Sequence, residues 1–175
     1  MRATTLSTLI LITPCLVLSS ACERKPAPAK PTTLVTVREG LFTDIEPAGA
    51  LPVEEVKKTA RVGDTVTISG RVGGSKNPFV DERAVFTLVG PGLPACSDNP
   101  DDKCSEPWDY CCESKADIAA HSATIQVVET DGRPAAVGLK GAHGMKELSS
   151  VTVVGTVVTA EGPNLVVNAT KIYIP

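Results

Sequence analysis

The sequence predicts a mainly β protein, a small closed barrel of five strands with short helices. Three observations carry that prediction. Period-two segments recur from residue 65 to the end of the chain. Aromatics are scarce (Phe42, Phe79, Phe86, Trp108, Tyr110 and Tyr173), so the core must come from Val, Ile, Leu and Ala, a composition that favours strands over helices. A glycine also falls on the inward face of the first and the fourth segment, and tight coiling of a strand needs a residue without a side chain there.

The elements follow in order. Residues 34–50, "LVTVREGLFTDIEPAGA", alternate weakly before Pro47 and Gly49 and support strand or coil. "PVEEVKK" predicts a short helix with Pro52 at its first position, Val53, Val56 and Ala60 on one face, and a Glu54–Lys58 pair on the other. "TVTISGRV" (residues 65–72) places Val66, Ile68, Gly70 and Val72 inward. "AVFTLV" (84–89) turns Ala84, Phe86 and Leu88 inward, and "ATIQVVE" (123–129) does the same with Ala123, Ile125 and Val127 before the turn chemistry of "TDGRP". "VTVVGTVVT" (151–159) buries Val151, Val153, Gly155 and Val157. "NLVVNATKIYIP" closes the chain with a phase slip between Ala169 and Ile172, the mark of a bulge.

The stretch "GLKGAHGMKELSS" between the third and fourth strands has room for a short helix. Three strands, a short helix and two strands is the order of the OB-fold, a five-stranded Greek-key barrel. A cysteine-rich insertion (91–121) then lies between strands 2 and 3. A β-sandwich is the alternative, because alternation alone does not separate closure from stacking. "VTISGRV" and "VTVVGTV" resemble strands of OB-like domains in bacterial envelope proteins. Across residues 52–175, "GRVGGSKNPFVDERAVFTLV", "PWDYCC" and "ELSSVTVVGTVV" resemble uncharacterised lipoproteins of planctomycete bacteria. That resemblance implies an OB-like domain and an envelope location, and carries no established activity or functional residue.

The N-terminus addresses the chain. Arg2 precedes the apolar run Leu6 to Leu18, too short for a transmembrane span, and small residues Ser19, Ser20 and Ala21 precede Cys22. This pattern resembles the lipobox cut by the bacterial lipoprotein signal peptidase, which implies a signal peptide over residues 1–21 and lipidation of Cys22. Ordinary secretory cleavage is the alternative. Residues 22–50, with "ERKPAPAKPTT" at 23–33, are expected to form a flexible tether, and residues 51–175 the barrel domain. The expected location is the cell envelope, anchored by lipid to a membrane facing the periplasm or exterior.

Without residues 1–21, which hold Arg2 and no acid, 16 basic residues face 20 acidic ones, a formal net charge of −4. No basic stretch is present to neutralise phosphates, so nucleic acid is not an expected partner. The expected partners are the membrane, through the lipid, and an envelope protein or small ligand.

The domain's cysteines, Cys96, Cys104, Cys111 and Cys112, are spaced C-x7-C-x6-C-C. In an exported chain four cysteines read first as two disulfides. Joining Cys111 to Cys112 closes a strained ring, so each is expected to bond to one of Cys96 and Cys104. Such staples stabilise by about 2–3 kcal/mol each in the chain-entropy model. The alternatives are a metal or cofactor carrier using Cys104, Cys111 and Cys112, and a thiol–disulfide oxidoreductase, although neither a C-x2-C knuckle nor a C-x-x-C helix start is present. The acids Asp98, Asp101, Asp102, Glu106, Asp109, Glu113 and Asp117 match no calcium loop and read as a solvated face.

A ligand face, if one exists, is expected from Gly73, Gly74, Lys76 and Arg83 in the loop "GGSKNPFVDER", with Trp108, Tyr110 and the turn at residues 161–164. Gly73 and Gly74 could offer amides to an anion or simply make a turn, and Trp108 and Tyr110 are expected to cap the barrel. The two histidines, His121 and His143, lie in or beside loops with no spacing that suggests catalysis. The sequence therefore predicts a non-catalytic binding or structural module with no catalytic residue and no bound cofactor.

Overall fold

The computed structural model describes residues 39–175. The expected signal peptide, the expected lipidation site Cys22 and the expected tether up to residue 38 lie outside the described residues. Among the described residues no helix is long and apolar enough to cross a membrane.

Among the described residues seven strands form one sheet: β1 (Phe42–Thr43), β2 (Leu51–Pro52), β3 (Thr65–Val72), β4 (Val85–Val89), β5 (Ser122–Gln126), β6 (Ser150–Glu161) and β7 (Asn164–Tyr173). Five of them pair in a ring. β3 pairs antiparallel with β4 and with β6, β4 antiparallel with β5, β5 parallel with β7, and β7 antiparallel with β6. The seams are unequal. β3 and β6 share a seven-residue register from Thr65↔Thr156 to Arg71↔Ser150, whereas β3 meets β4 only at Arg71↔Val89 and Val72↔Leu88. The protein is thus mainly β with a ring of five strands, joined thinly along β3–β4 rather than as a uniformly bonded barrel.

The inward residues read from alternation form the core. Ile68, Val72, Phe86, Leu88, Ala123, Ile125, Val151, Val153, Val157, Val167 and Ile172 are buried in one cluster. The inward glycines answer a steric demand. A Cβ on Gly70 would meet the carbonyl of Val89, and one on Gly155 the carbonyl of Asn168. The phase slip in the last strand is a bulge: Gly155 faces Ala169 while Val154 faces Lys171, leaving Thr170 as the extra residue. Its hydroxyl donates to the Val154 carbonyl at 3.1 Å. A second irregularity leaves Val158 of β6 between the paired Val157 and Thr159.

Helix α1 (Val53–Thr59) buries Val53 and Val56, as its period required. The expected Glu54–Lys58 pair does not form. Lys58 pairs with Glu55 at 2.7 Å, and Glu54 turns to accept the Gly92 amide at 2.9 Å. Lys57 spans the elements: its ammonium donates to the carbonyls of Ala119 (2.5 Å), Ser122 (2.7 Å) and Pro163 (2.6 Å), using all three of its hydrogens.

Two helices depart from the expectation. Between β5 and β6 there is only a 3-10 turn, Ala142–Gly144, because Gly141, His143 and Gly144 take left-handed backbone angles that stop a helix. The α-helix lies instead inside the insertion, as α2 (Lys115–His121), started by Ser114, whose hydroxyl accepts from the Asp117 amide at 3.0 Å. The packed unit also begins ahead of Leu51. Leu41 is buried in the core, and Phe42 pairs with Ile172.

Candidate functional site: a cluster of four cysteines

The insertion between β4 and β5 is tied to the ring along its length. Arg71 of β3 grips Asp98 through two bonds, Nη1 to Oδ1 at 2.8 Å and Nη2 to Oδ2 at 2.5 Å. The Cys96 amide donates to the Pro107 carbonyl at 3.2 Å, and Gly74 to that of Trp108 at 2.9 Å. Trp108 Nε1 donates to the Lys76 carbonyl at 3.0 Å, and the Lys76 ammonium meets Glu106 at 2.9 Å. Tyr110 is fully buried in a second small core with Val89, Leu93 and Ala95, flanked by Ile118 and Leu148.

These ties bring the four thiols together. The Sγ atoms of Cys96, Cys104, Cys111 and Cys112 all lie within 4.8 Å of one another. Cys111 Sγ is 2.7 Å from Cys104 Sγ and 3.8 Å from Cys96 Sγ, and all four are free thiols here. Local turns aim them. Asp102 accepts the Cys104 amide and Asp109 the Cys111 amide, both at 2.8 Å, so each cysteine sits two residues beyond an aspartate that closes an Asx turn. The Cys112 thiol donates to the second oxygen of Asp102 at 3.3 Å. Cys96 is buried, Cys104 partly so, and Cys111 and Cys112 face solvent. A cleft of about 240 Å³ opens beside them, lined by Ala95, Cys96, Asp98, Asn99, Asp102 and Cys112.

The electrostatics favour the neutral thiol at Cys104, Cys111 and Cys112. For Cys104 the contact with Cys111 favours ionisation, but desolvation, Cys96 and the Asp102 carboxylate outweigh it and push the thiol up to about 11. Cys111 is pushed up to about 12, first by Cys104, and Cys112 to about 12, first by Asp102. Thiols of this kind are weak nucleophiles near neutral pH. The Asp102 carboxyl is held below its ordinary range by the Cys104 amide and the Cys112 thiol. Nearby, burial raises the Tyr110 phenol against the opposing pull of the Arg71 guanidinium, and among the described residues no group makes a well-formed hydrogen bond to its hydroxyl.

Of the ligand-face residues read from the sequence, Gly73, Gly74, Lys76, Trp108 and Tyr110 are brought together, but as scaffolding. The Gly73 amide donates to Thr87 and the Gly74 amide to Trp108, so both serve the loop instead of an anion. Tyr110 is core. Arg83 sits in a separate turn, its amide bonded to the Val80 carbonyl. The turn at 161–164 is tied through Pro163 to Lys57. His121 binds the Asp117 carbonyl through Nδ1 at 2.8 Å, and His143 stacks on Phe42 with ring centroids 4.1 Å apart. Among the described residues neither is hydrogen-bonded to a serine or cysteine. The supporting aspartates were missed at the sequence level, although "DKC" and "DYC" repeat an Asp two residues before a Cys, the spacing of an Asx turn.

No protein-family model matches the chain, and no curated protein matches it. Among solved structures it is similar to a putative aspartyl-tRNA synthetase from Leishmania major Friedlin, at 15% sequence identity and a TM-score of 0.41. The match covers 78% of this chain and 24% of that one, so this chain spans about a quarter of the synthetase's length.

Proposed function

We propose that the chain is an exported, lipid-anchored envelope protein whose domain is an OB-like Greek-key barrel acting as a non-catalytic binding module. The observation that carries the barrel reading is the cyclic strand order. Counting from β3, the ring runs first, second, third, fifth, fourth and back to first, with the third and fifth strands parallel. That cycle supports an OB-type connectivity, and the inward Gly70 and Gly155 supply the close approaches a small ring needs. The anchor rests on Cys22 after its apolar leader, and the envelope setting accords with the likeness to planctomycete lipoproteins. The acidic balance, and the full burial of Tyr110, favour a ligand other than nucleic acid.

Metabolic labelling with an alkyne fatty acid tests the anchor. In a bacterial host the wild-type chain takes the label and fractionates with membranes, while Cys22→Ser takes none and is released in soluble form. A wild-type chain that stays unlabelled and soluble refutes the anchoring. Salt-sensitive binding of single-stranded DNA by the purified protein refutes the choice of ligand class.

A further inference from the structure

We propose that Cys96, Cys104, Cys111 and Cys112 form a tetrathiolate site for one thiophilic d10 metal ion, with Zn2+ as the probe. The inference deepens the reading of the domain as a binding module and does not depend on its lipid anchor.

Convergence is the first argument. A disulfide asks only that sulfurs meet in pairs, and two disulfides place no constraint between the pairs. Here every sulfur lies within 4.8 Å of every other. Cys111 is shared between two neighbours, at 2.7 Å from Cys104 and 3.8 Å from Cys96, so an ion would open the first edge by about 1 Å and take the second as it stands. Four thiolates around Zn2+ at about 2.3 Å stand about 3.8 Å apart along each edge of the tetrahedron. The adjacency of Cys111 and Cys112, which lacks the spacing of a metal knuckle, proves no obstacle because both sulfurs reach the cluster.

Preorganisation is the second. A staple is needed where a loop has nothing else to hold it. This insertion is held by the Arg71–Asp98 pair, by Trp108 on the Lys76 carbonyl and by the burial of Tyr110. The cysteines are therefore positioned by their surroundings, and the amides of Cys104 and Cys111 are fixed by Asp102 and Asp109 in the manner of a supporting shell. Access is the third. The 240 Å³ cleft reaches Cys96 and Cys112, and Cys111 faces solvent, giving an ion a path inward. Binding breaks four S–H bonds, forms four metal–sulfur bonds and passes four protons to solvent; no electron is transferred.

The test uses the full chain, processed in a bacterial host and purified in mild detergent. Metal analysis is expected to find about one Zn2+ or Cu+ per chain, natively or after exposure to Zn2+. X-ray absorption at that metal is expected to show a shell of four sulfurs. Iodoacetamide should label four further thiols only after a chelator strips the ion, and Cys111→Ser should lose most of the metal. If that variant fails to accumulate, Co2+ substituted into the wild type gives the same answer through its thiolate charge-transfer bands. A metal-free chain four hydrogens light, unlabelled with or without chelator, is a pair of disulfides and overturns the proposal. The intact mass of the same sample reads the acyl chains on Cys22. A lipidated chain without metal sinks this site alone, and a metal-bound chain without lipid sinks the anchor alone.

Discussion

Gly155 of β6 lies against the backbone of Asn168 in β7 so closely that a Cβ would meet the Asn168 carbonyl. The contact falls beside the bulge at Thr170, where the register between the two strands shifts by one residue. Gly70 of β3 bears the same relation to Val89 of β4, at the thin seam of the ring.

Gly155→Ala and Gly70→Ala are each expected to lower stability by about 2 kcal/mol or more, because the backbone they strike cannot move aside as a side chain does. Gly138 is the control: a Cβ there has its nearest neighbour at 3.8 Å, so Gly138→Ala should be neutral or slightly stabilising. Urea midpoints at constant slope measure all three.

Lys57→Met should cost about 3 kcal/mol, since it leaves the Ala119, Ser122 and Pro163 carbonyls without their charged donor. The neighbouring Lys58→Met removes only a surface pair with Glu55 and should change stability by less than about 0.5 kcal/mol. Equal effects from the two would show that Lys57 does not hold these three carbonyls together.

Tyr110→Phe should raise stability, by about 1 kcal/mol at most, by deleting a buried hydroxyl that only the Arg71 guanidinium approaches and that makes no well-formed hydrogen bond among the described residues. Tyr110→Ala removes the largest side chain of the second core and should cost about 3–5 kcal/mol. Thermal unfolding of the two variants tests the pair; a Phe variant weaker than wild type would mean the hydroxyl is satisfied in solution.

Asp98 is expected to make stability depend on acid. Its carboxyl is held below the ordinary value chiefly by Arg71, so its contribution is present above the unfolded-state pKa near 3.8 and is lost as pH falls through the lower folded-state value. Asp98→Asn should therefore cost about 1 kcal/mol or less at pH 7, the pair being partly exposed, and the gap between variant and wild type should close below pH 4. A gap that persists at pH 2 would assign the effect to something other than the ion pair.

Much of this fold was written in alternation. Thr65–Val72 was bounded to the residue, the inward sets of β3 to β6 were read correctly, and the slip after Ala169 is a bulge at Thr170. These features are legible because a period of two places every second side chain on one face whatever the strand pairs with. Helix α2 escaped notice although Ser114 and Asp117 carry a cap signature, because its residues show no apolar stripe and none is buried. Glu54 reads in the sequence as half of a pair with Lys58, and Lys57 carries no signal of its own; only the approach of residues 90–92, 119–122 and 163 gives the two their partners.

The sequence by itself determined the β class, the inward faces, the two glycines that strands must crowd and the presence of four cysteines in one insertion, since each depends on local periodicity or residue type. Which strands close the ring, and how thinly, was decided by tertiary structure, because hydrogen-bond partners far apart in the chain leave no trace in alternation. The same holds for the cysteines. Spacing counted them and left pairing and metal ligation open, whereas their convergence within 4.8 Å arises from distant groups: Arg71 holding Asp98, Lys76 receiving Trp108, and Tyr110 buried under Val89.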